Sequence, residues 1–271
     1  MTTLITGATG HLGSLILKHT LDRLPAADLA VSVRNPDKAD LPVEVRLGDF
    51  ARPETLATAF AGVDKLLLVS ADGPDEVRVE LHRNAVTAAV EAGVRHIVYT
   101  SVTDADTSPL SLAKVHKATE EMIRATGVPF TFLRNGMYHE NYTGTLGHGP
   151  VVAAAGDGVI ASASRDDLAL AAAVVLSTEG HENAVYELTG ARAWGFAELA
   201  ELAGTTYQPV GKAERVAALE GFGLPPFLAE LITDIEVNIG AGALAEVRPD
   251  LEKLIGRTPT PIDDAVRAAL A

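Results

Sequence analysis

The chain contains no cysteine, which excludes disulfides, thiolate metal sites and thiol catalysis together. No basic run occurs anywhere, and the formal net charge is −14 at pH 7. Nucleic-acid binding rests on concentrated Lys and Arg, so a phosphate-backbone ligand is not expected. Long hydrophobic runs are missing as well. The longest, Leu168 to Leu176, is too short to span a bilayer and reads as a buried helix. The first strand begins by residue 2 or 3, which leaves no room for a signal peptide, so a cytoplasmic protein without membrane partners is expected. The histidines show no metal-ligand spacing, and no metal site is expected. His96, inside an apolar strand, reads as a satisfied structural histidine.

What the chain does have is Thr6-Gly7-Ala8-Thr9-Gly10-His11-Leu12-Gly13, arriving directly after the apolar run Thr3-Leu4-Ile5. That order predicts a strand, a tight turn and a helix that continues through Leu15, Ile16 and Leu17. A dinucleotide pyrophosphate needs those parts. The backbone must approach the phosphates without a Cβ in the way, and the helix N-terminus supplies N–H groups and a positive dipole end. Gly7, Thr9, Gly10, His11, Leu12 and Gly13 are therefore candidate cofactor contacts.

At 271 residues, 47% of them hydrophobic, the chain can build one large α/β domain with a lobe attached. Strands are expected near residues 2–6, 29–33, 43–47, 63–69, 94–100 and 129–133, with helices near 12–23, 53–60, 76–92 and 111–126. Strict alternation implies a doubly wound parallel sheet of the Rossmann, NAD(P)-binding kind. After Arg134 the rhythm breaks. The expected division is a nucleotide-binding domain over 1–135, to which 151–190 adds late strands and a helix. Residues 136–150 and 191–271 then form a smaller, mainly helical substrate lobe.

In doubly wound sheets ligands sit beyond the C-terminal ends of the strands. This adds Arg34, Asp49, Ser70, Ala71, Thr100, Ser101 and the segment after Arg134 to the candidates. Arg34 follows the second strand immediately. An acidic residue there accepts the ribose 2′-hydroxyl of NAD, whereas arginine accommodates the 2′-phosphate of NADP. The alternative is a surface arginine paired with Asp37. Asp49 either covers the adenine edge or makes an ordinary turn.

The Tyr-x-x-x-Lys pair that handles the hydroxyl proton in ordinary short-chain dehydrogenases is absent. Four residues after the five tyrosines stand Thr103, Tyr142, Leu146, Gly190 and Gly211. The helix that should carry the pair reads Lys114-Val-His116-Lys-Ala-Thr-Glu120. His116 and Glu120, at i and i+4, share a helix face and could handle a proton together. The alternative is an exposed, charge-rich helix end.

Gly7-Ala-Thr-Gly-His-Leu-Gly13, Ser32-Val-Arg-Asn-Pro-Asp-Lys38 and His96-Ile-Val-Tyr-Thr-Ser101 together resemble the NmrA-like atypical short-chain reductases. Ala105-Asp-Thr-Ser-Pro-Leu110, Leu133-Arg-Asn-Gly-Met-Tyr-His-Glu-Asn-Tyr142 and Ala154-Ala-Gly-Asp-Gly158 are similar to the flavin-independent quinone reductases of that group. The resemblance runs from residue 2 to about 203. It implies an NADPH-binding enzyme without flavin or metal, acting on a quinone-like small molecule, as a monomer or homodimer. It also implies that Gly136 to Asn141, Met137 and Tyr138 among them, and the Arg165 region wall the nicotinamide side, and Asn135 just before them is a further candidate cofactor contact. Two residues depart from the pattern: His11 stands where Gln is expected, and Met137 where an aromatic is expected. A quinone becomes a stabilised anion on accepting hydride, so the site needs stacking and hydrogen-bond donors more than a strong acid. Tyr138 and Asn141, with Asn135 and His139, are the candidate donors, and His116 is a third catalytic candidate. The competing function is an NADP(H) sensor that binds the dinucleotide without turnover, as some members of the group do.

Overall fold

A computed structural model describes residues 1–271. Strand β1 (Thr3–Thr6) runs through the glycine turn into helix α1 (His11–Leu21), then β2 (Leu29–Val33) and β3 (Glu44–Leu47). A short helix, α2 (Leu56–Ala59), precedes β4 (Lys65–Leu68), and α3 (Asp75–Glu91) leads to β5 (His96–Val102). Next come α4 (Ala113–Ala125), β6 (Phe130–Asn135), α5 (Glu140–Thr143), β7 (Val151–Ala153) and β8 (Val159–Ile160). They are followed by α6 (Arg165–Ser177), β9 (Ala184–Leu188), β10 (Trp194–Gly195), α7 (Phe196–Leu202) and β11 (Tyr207–Pro209). Helices α8 (Lys212–Gly221), α9 (Pro226–Gly240), α10 (Asp250–Ile255) and α11 (Ile262–Leu270) close the chain.

Seven strands form one sheet in the order β3-β2-β1-β4-β5-β6-β9. Every pair from β3 across to β6 is parallel. The strands β1, β2, β4 and β5 are buried along their whole length. Their β-branched and leucine-rich runs without polar alternation are what a sheet covered on both faces requires. Strand order reverses between β1 and β4, and a side chain bridges that reversal. The Thr6 hydroxyl donates to Leu67 O at 3.0 Å and accepts from Val69 N–H at 2.9 Å. At the other end of β4 the buried Lys65 ammonium donates to the carbonyls of Val175 and Leu176, 3.2 and 3.1 Å away. A cation at a helix C-terminus meets orphan carbonyls and the negative dipole end, so Lys65 anchors α6 on the sheet.

The chain divides into two compact units. The first holds Met1–Ala105, Val115–Asn135 and Leu168–Tyr186; the second holds Asp106–Lys114, Gly136–Asp167 and Glu187–Ala271. The segment 151–190, expected to return to the nucleotide-binding domain, is divided between the two units. Leu168–Tyr186 goes with the sheet, but 151–167 does not, because β7 pairs with β11 and β8 with β10 in the second unit. That unit is helical with two small sheets. Its core is a ring cluster: Tyr142 meets Trp194 and Phe196 edge-on with centroids 5.3 and 5.7 Å apart. No helix is long and apolar enough to cross a membrane.

Candidate functional site

The three glycines of the first turn serve different purposes. Gly7 has φ +65°, which favours glycine. A Cβ on Gly13 would stand 2.1 Å from Gly7 O, so Gly13 permits helix and turn to pack. Gly10 is needed for neither reason. Its backbone is extended (φ −87°, ψ 172°), and a Cβ there would meet only Gly7 O, at 3.4 Å. Gly10 is also the N-cap of α1, no side chain caps that end, and the first turn carries no acidic residue. The geometry suits an anion on the uncapped N–H groups of His11, Leu12 and Gly13. Thr9 lies in the same turn.

Arg34 is exposed directly after β2. Asp49 is engaged locally. Its carboxylate accepts from Ala51 N–H at 3.0 Å and pairs with Arg52 at 3.1 Å, so the structure builds the turn.

The ends of β4, β5 and β6 carry a buried polar network. Thr100 Oγ1 accepts from Ser70 N–H at 2.9 Å, and His82 Nε2 accepts from Ala71 N–H at 2.9 Å. His82 Nδ1–H therefore donates to Thr119 Oγ1 at 2.8 Å, whose own proton goes to Val115 O. Arg78 Nε donates to Ala71 O at 2.7 Å, and Arg78 Nη2 to Ser70 Oγ at 2.9 Å and to His116 Nε2 at 3.2 Å. That assignment leaves His116 Nδ1–H to face Tyr99 Oη at 2.9 Å. Burial, reinforced by the Arg78 charge, pushes the His82 pKa down to about 3 and that of His116 well below its usual value. Burial pushes the Tyr99 phenol up to about 12. Both imidazoles are neutral parts of the scaffold.

His116 and Glu120 form neither a pair nor an exposed helix end, since both are buried and their polar atoms bond to other residues. Although the two share α4, Glu120 is fully buried against β5 and β6. It accepts from Ser101 Oγ at 2.6 Å and from Arg134 Nε and Nη2 at 2.9 and 2.6 Å. Asn135, the last residue of β6, is 5% exposed and its Oδ1 has no donor. An acceptor orphaned at the ligand edge of a sheet fits a carboxamide or hydroxyl donor from a bound molecule. His96, expected to be satisfied, is satisfied at one nitrogen only: Nε2 meets Thr131 Oγ1 at 2.8 Å and Nδ1 has no partner.

In the second unit, Gly136 N–H donates to Leu188 O at 2.7 Å, and a Cβ on Gly136 would stand 3.1 Å from that oxygen. Met137 is buried, and its carbonyl accepts from Ala163 N–H at 3.0 Å. Tyr138 is half-buried, with the Arg165 guanidinium 4.8 Å from its ring centre. Asn141 is exposed. His139 is not a free donor as expected. Its Nδ1 accepts from Ser162 Oγ at 2.8 Å and its Nε2–H donates to Thr260 O at 3.0 Å, with Trp194 Nε1 donating to the same Ser162.

Sequence reasoning missed Arg78, His82 and the Glu120–Arg134 pair. Arg78 and His82 stand at i and i+4 on α3, but nothing local marks that spacing as buried.

A reversed parallel sheet entered by an uncapped glycine turn defines a dinucleotide-binding protein. The chain belongs to the NAD(P)H-binding, NmrA-like family, whose model, described as NAD(P)H-binding, matches residues 7–179. It is 44% identical to quinone oxidoreductase 2 of Escherichia coli K12 over 97% of this chain and 96% of that protein. Among solved structures, it superposes on the E. coli NADPH-dependent quinone oxidoreductase complexed with NADPH with a TM-score of 0.96, at 42% identity over the whole of both chains. The triphenylmethane reductase of Citrobacter sp. complexed with NADP(H) gives a TM-score of 0.94 at 40% identity, over 99% of this chain and all of that one.

Proposed function

We propose that this protein reduces quinones and similar conjugated acceptors by direct hydride transfer from NADPH, without flavin or metal. One observation carries the reading most of the way: the helix position of the missing proton donor is closed. His116 is buried with both ring nitrogens engaged, and Glu120 is held by Arg134 and Ser101. A reductase built so suits an acceptor that takes hydride without a strong acid beside it. The full-length likeness to a quinone oxidoreductase supports the same substrate class.

The residues present fit NADPH. The pyrophosphate would lie on the turn Gly7–Gly13, the 2′-phosphate on Arg34, and the nicotinamide amide against Asn135. Ser70, Ala71, Thr100 and Ser101 would line the cofactor as strand ends; Asp49 would do so through its turn backbone. Bound NADPH would supply the hydride. Tyr138 and Asn141 would donate to the acceptor oxygens as charge develops, with Met137 as an adaptable apolar wall and Gly136 and Arg165 beside them. His116 would act as a positioning residue.

The test is consumption of NADPH by the purified, flavin-free protein on addition of 1,4-benzoquinone, with hydroquinone formed in equal amount. Tight NADPH binding without consumption would favour the sensor reading instead.

Two variants probe the assignments. Arg34→Ala is expected to weaken NADPH by about 2–3 kcal/mol, the value of a charge-assisted phosphate contact, and to leave NADH nearly unchanged. Equal losses for both cofactors in a titration would remove Arg34 as the discriminator. Tyr138→Phe or Asn141→Ala is expected to lower kcat with saturating NADPH by up to roughly 10²–10³, and His116→Ala by less. If His116→Ala proves the most damaged while the other two turn over normally, the donors are wrongly placed.

A further inference from the structure

Arg78 is 6% exposed, and its one ion pair is long and uses a half-exposed carboxylate. That carboxylate belongs to Asp75, 4.0 Å from Nη1. Three bonds hold the guanidinium: Nε to Ala71 O, and Nη2 to Ser70 Oγ and His116 Nε2. The remaining nitrogen, Nη1, has two protons and no hydrogen-bond acceptor in the protein. A buried cation fixed at three points, whose fourth nitrogen meets only a carboxylate beyond hydrogen-bond distance, is a preorganised donor. Side-chain entropy has already been spent by the fold, so little is lost when a ligand meets it.

Its place selects the ligand. The two halves of a doubly wound sheet each hold one mononucleotide. Gly7–Gly13 and Arg34 belong to the β1–β3 half. Arg78 belongs to the other, since its partners Ser70 and Ala71 follow β4 and His116 lies on α4 between β5 and β6. Resting on the NADPH reading above, we propose that Arg78 is a second cofactor-binding cation, which donates from Nη1 to a ribose or phosphate oxygen of the nicotinamide mononucleotide half. His82 is its positioning partner. By accepting from Ala71 N–H it fixes the same peptide segment that Arg78 holds through Ala71 O.

Three probes test this by fluorescence or calorimetric titration: NADPH, reduced nicotinamide mononucleotide, and 2′,5′-ADP, which carries only the adenine half. Arg78→Met is expected to weaken NADPH by about 10- to 100-fold, the range for a lost charge-assisted hydrogen bond. The mononucleotide should weaken likewise, and 2′,5′-ADP should bind as before. Arg78→Lys, which keeps the charge but not the fork, should fall between, and added guanidinium should restore part of the NADPH affinity of Arg78→Ala. Unchanged NADPH affinity in the Met and Lys variants overturns the proposal, as does equal weakening of 2′,5′-ADP, which would mean a purely structural role. Should the Met variant fail to fold, the Lys variant and guanidinium rescue decide. Failure of the NADPH reading itself would look different, because the unmodified protein would then not bind NADPH.

Discussion

Gly10→Val is expected to leave a folded protein that no longer binds NADPH. Valine accepts the extended backbone of this position, and its Cβ meets only Gly7 O at 3.4 Å. The Gly10 N–H to Gly7 O bond, 2.9 Å long, survives because it uses backbone alone. Loss of an N-cap glycine for a β-branched residue costs up to about 1 kcal/mol of stability. The branched side chain, however, occupies the space over the helix N-terminus where a pyrophosphate must come close. Losing two charge-assisted bonds there removes about 3–6 kcal/mol, roughly 10²–10⁴ in Kd. Gly13→Ala is the control with the reverse signature, since its Cβ would collide with Gly7 O. A thermal melt beside an NADPH titration separates the two. If the folded Gly10→Val protein binds NADPH normally, the pyrophosphate does not lie on this turn.

Arg134→Met is expected to be among the most destabilising single changes in the chain, about 3–5 kcal/mol by denaturant unfolding. Glu120 is wholly buried, and Arg134 supplies two of its closest donors. Arg124, at 3.6 Å, and the Ser101 hydroxyl cannot replace that bidentate fork. Removing the guanidinium strands a carboxylate in a dry interior. The energy at issue is the unpaired charge, so a Glu120→Leu/Arg134→Met double variant should recover most of the loss. A single Arg134→Met variant within 1 kcal/mol of the parent would show that water reaches Glu120 and that the pair does not hold α4 on the sheet. Because Ser101 and Asn135 flank the pair at the strand ends, the same variant is expected to weaken NADPH.

The parts of this protein legible in its residues are those specified over short stretches of chain. The glycine turn works within seven residues, Arg34 is placed by the strand it follows, and alternating apolar runs dictate a parallel sheet. The absence of Tyr-x-x-x-Lys, too, can be read from spacing alone. The turn at Asp49 is likewise local, since the donors its carboxylate meets lie two and three residues away.

Tertiary structure decided what happens between elements. Arg78 meets His116 from 38 residues away, and Tyr99 meets it from 17. Arg134 takes Glu120 from a distance of 14, leaving the i,i+4 neighbours His116 and Glu120 apart. Shared helix face gave those two proximity; the pull of partners on β5 and β6 gave them different environments. The division of 151–190 was hidden for a similar reason. Strands of two or three residues carry almost no periodic signal, and β7 and β8 are defined only by the distant β11 and β10 with which they pair. Sequence determines a strand, a turn or a helix through the residues beside it. A buried charge, though, is set by whatever the register of the sheet brings within hydrogen-bond reach.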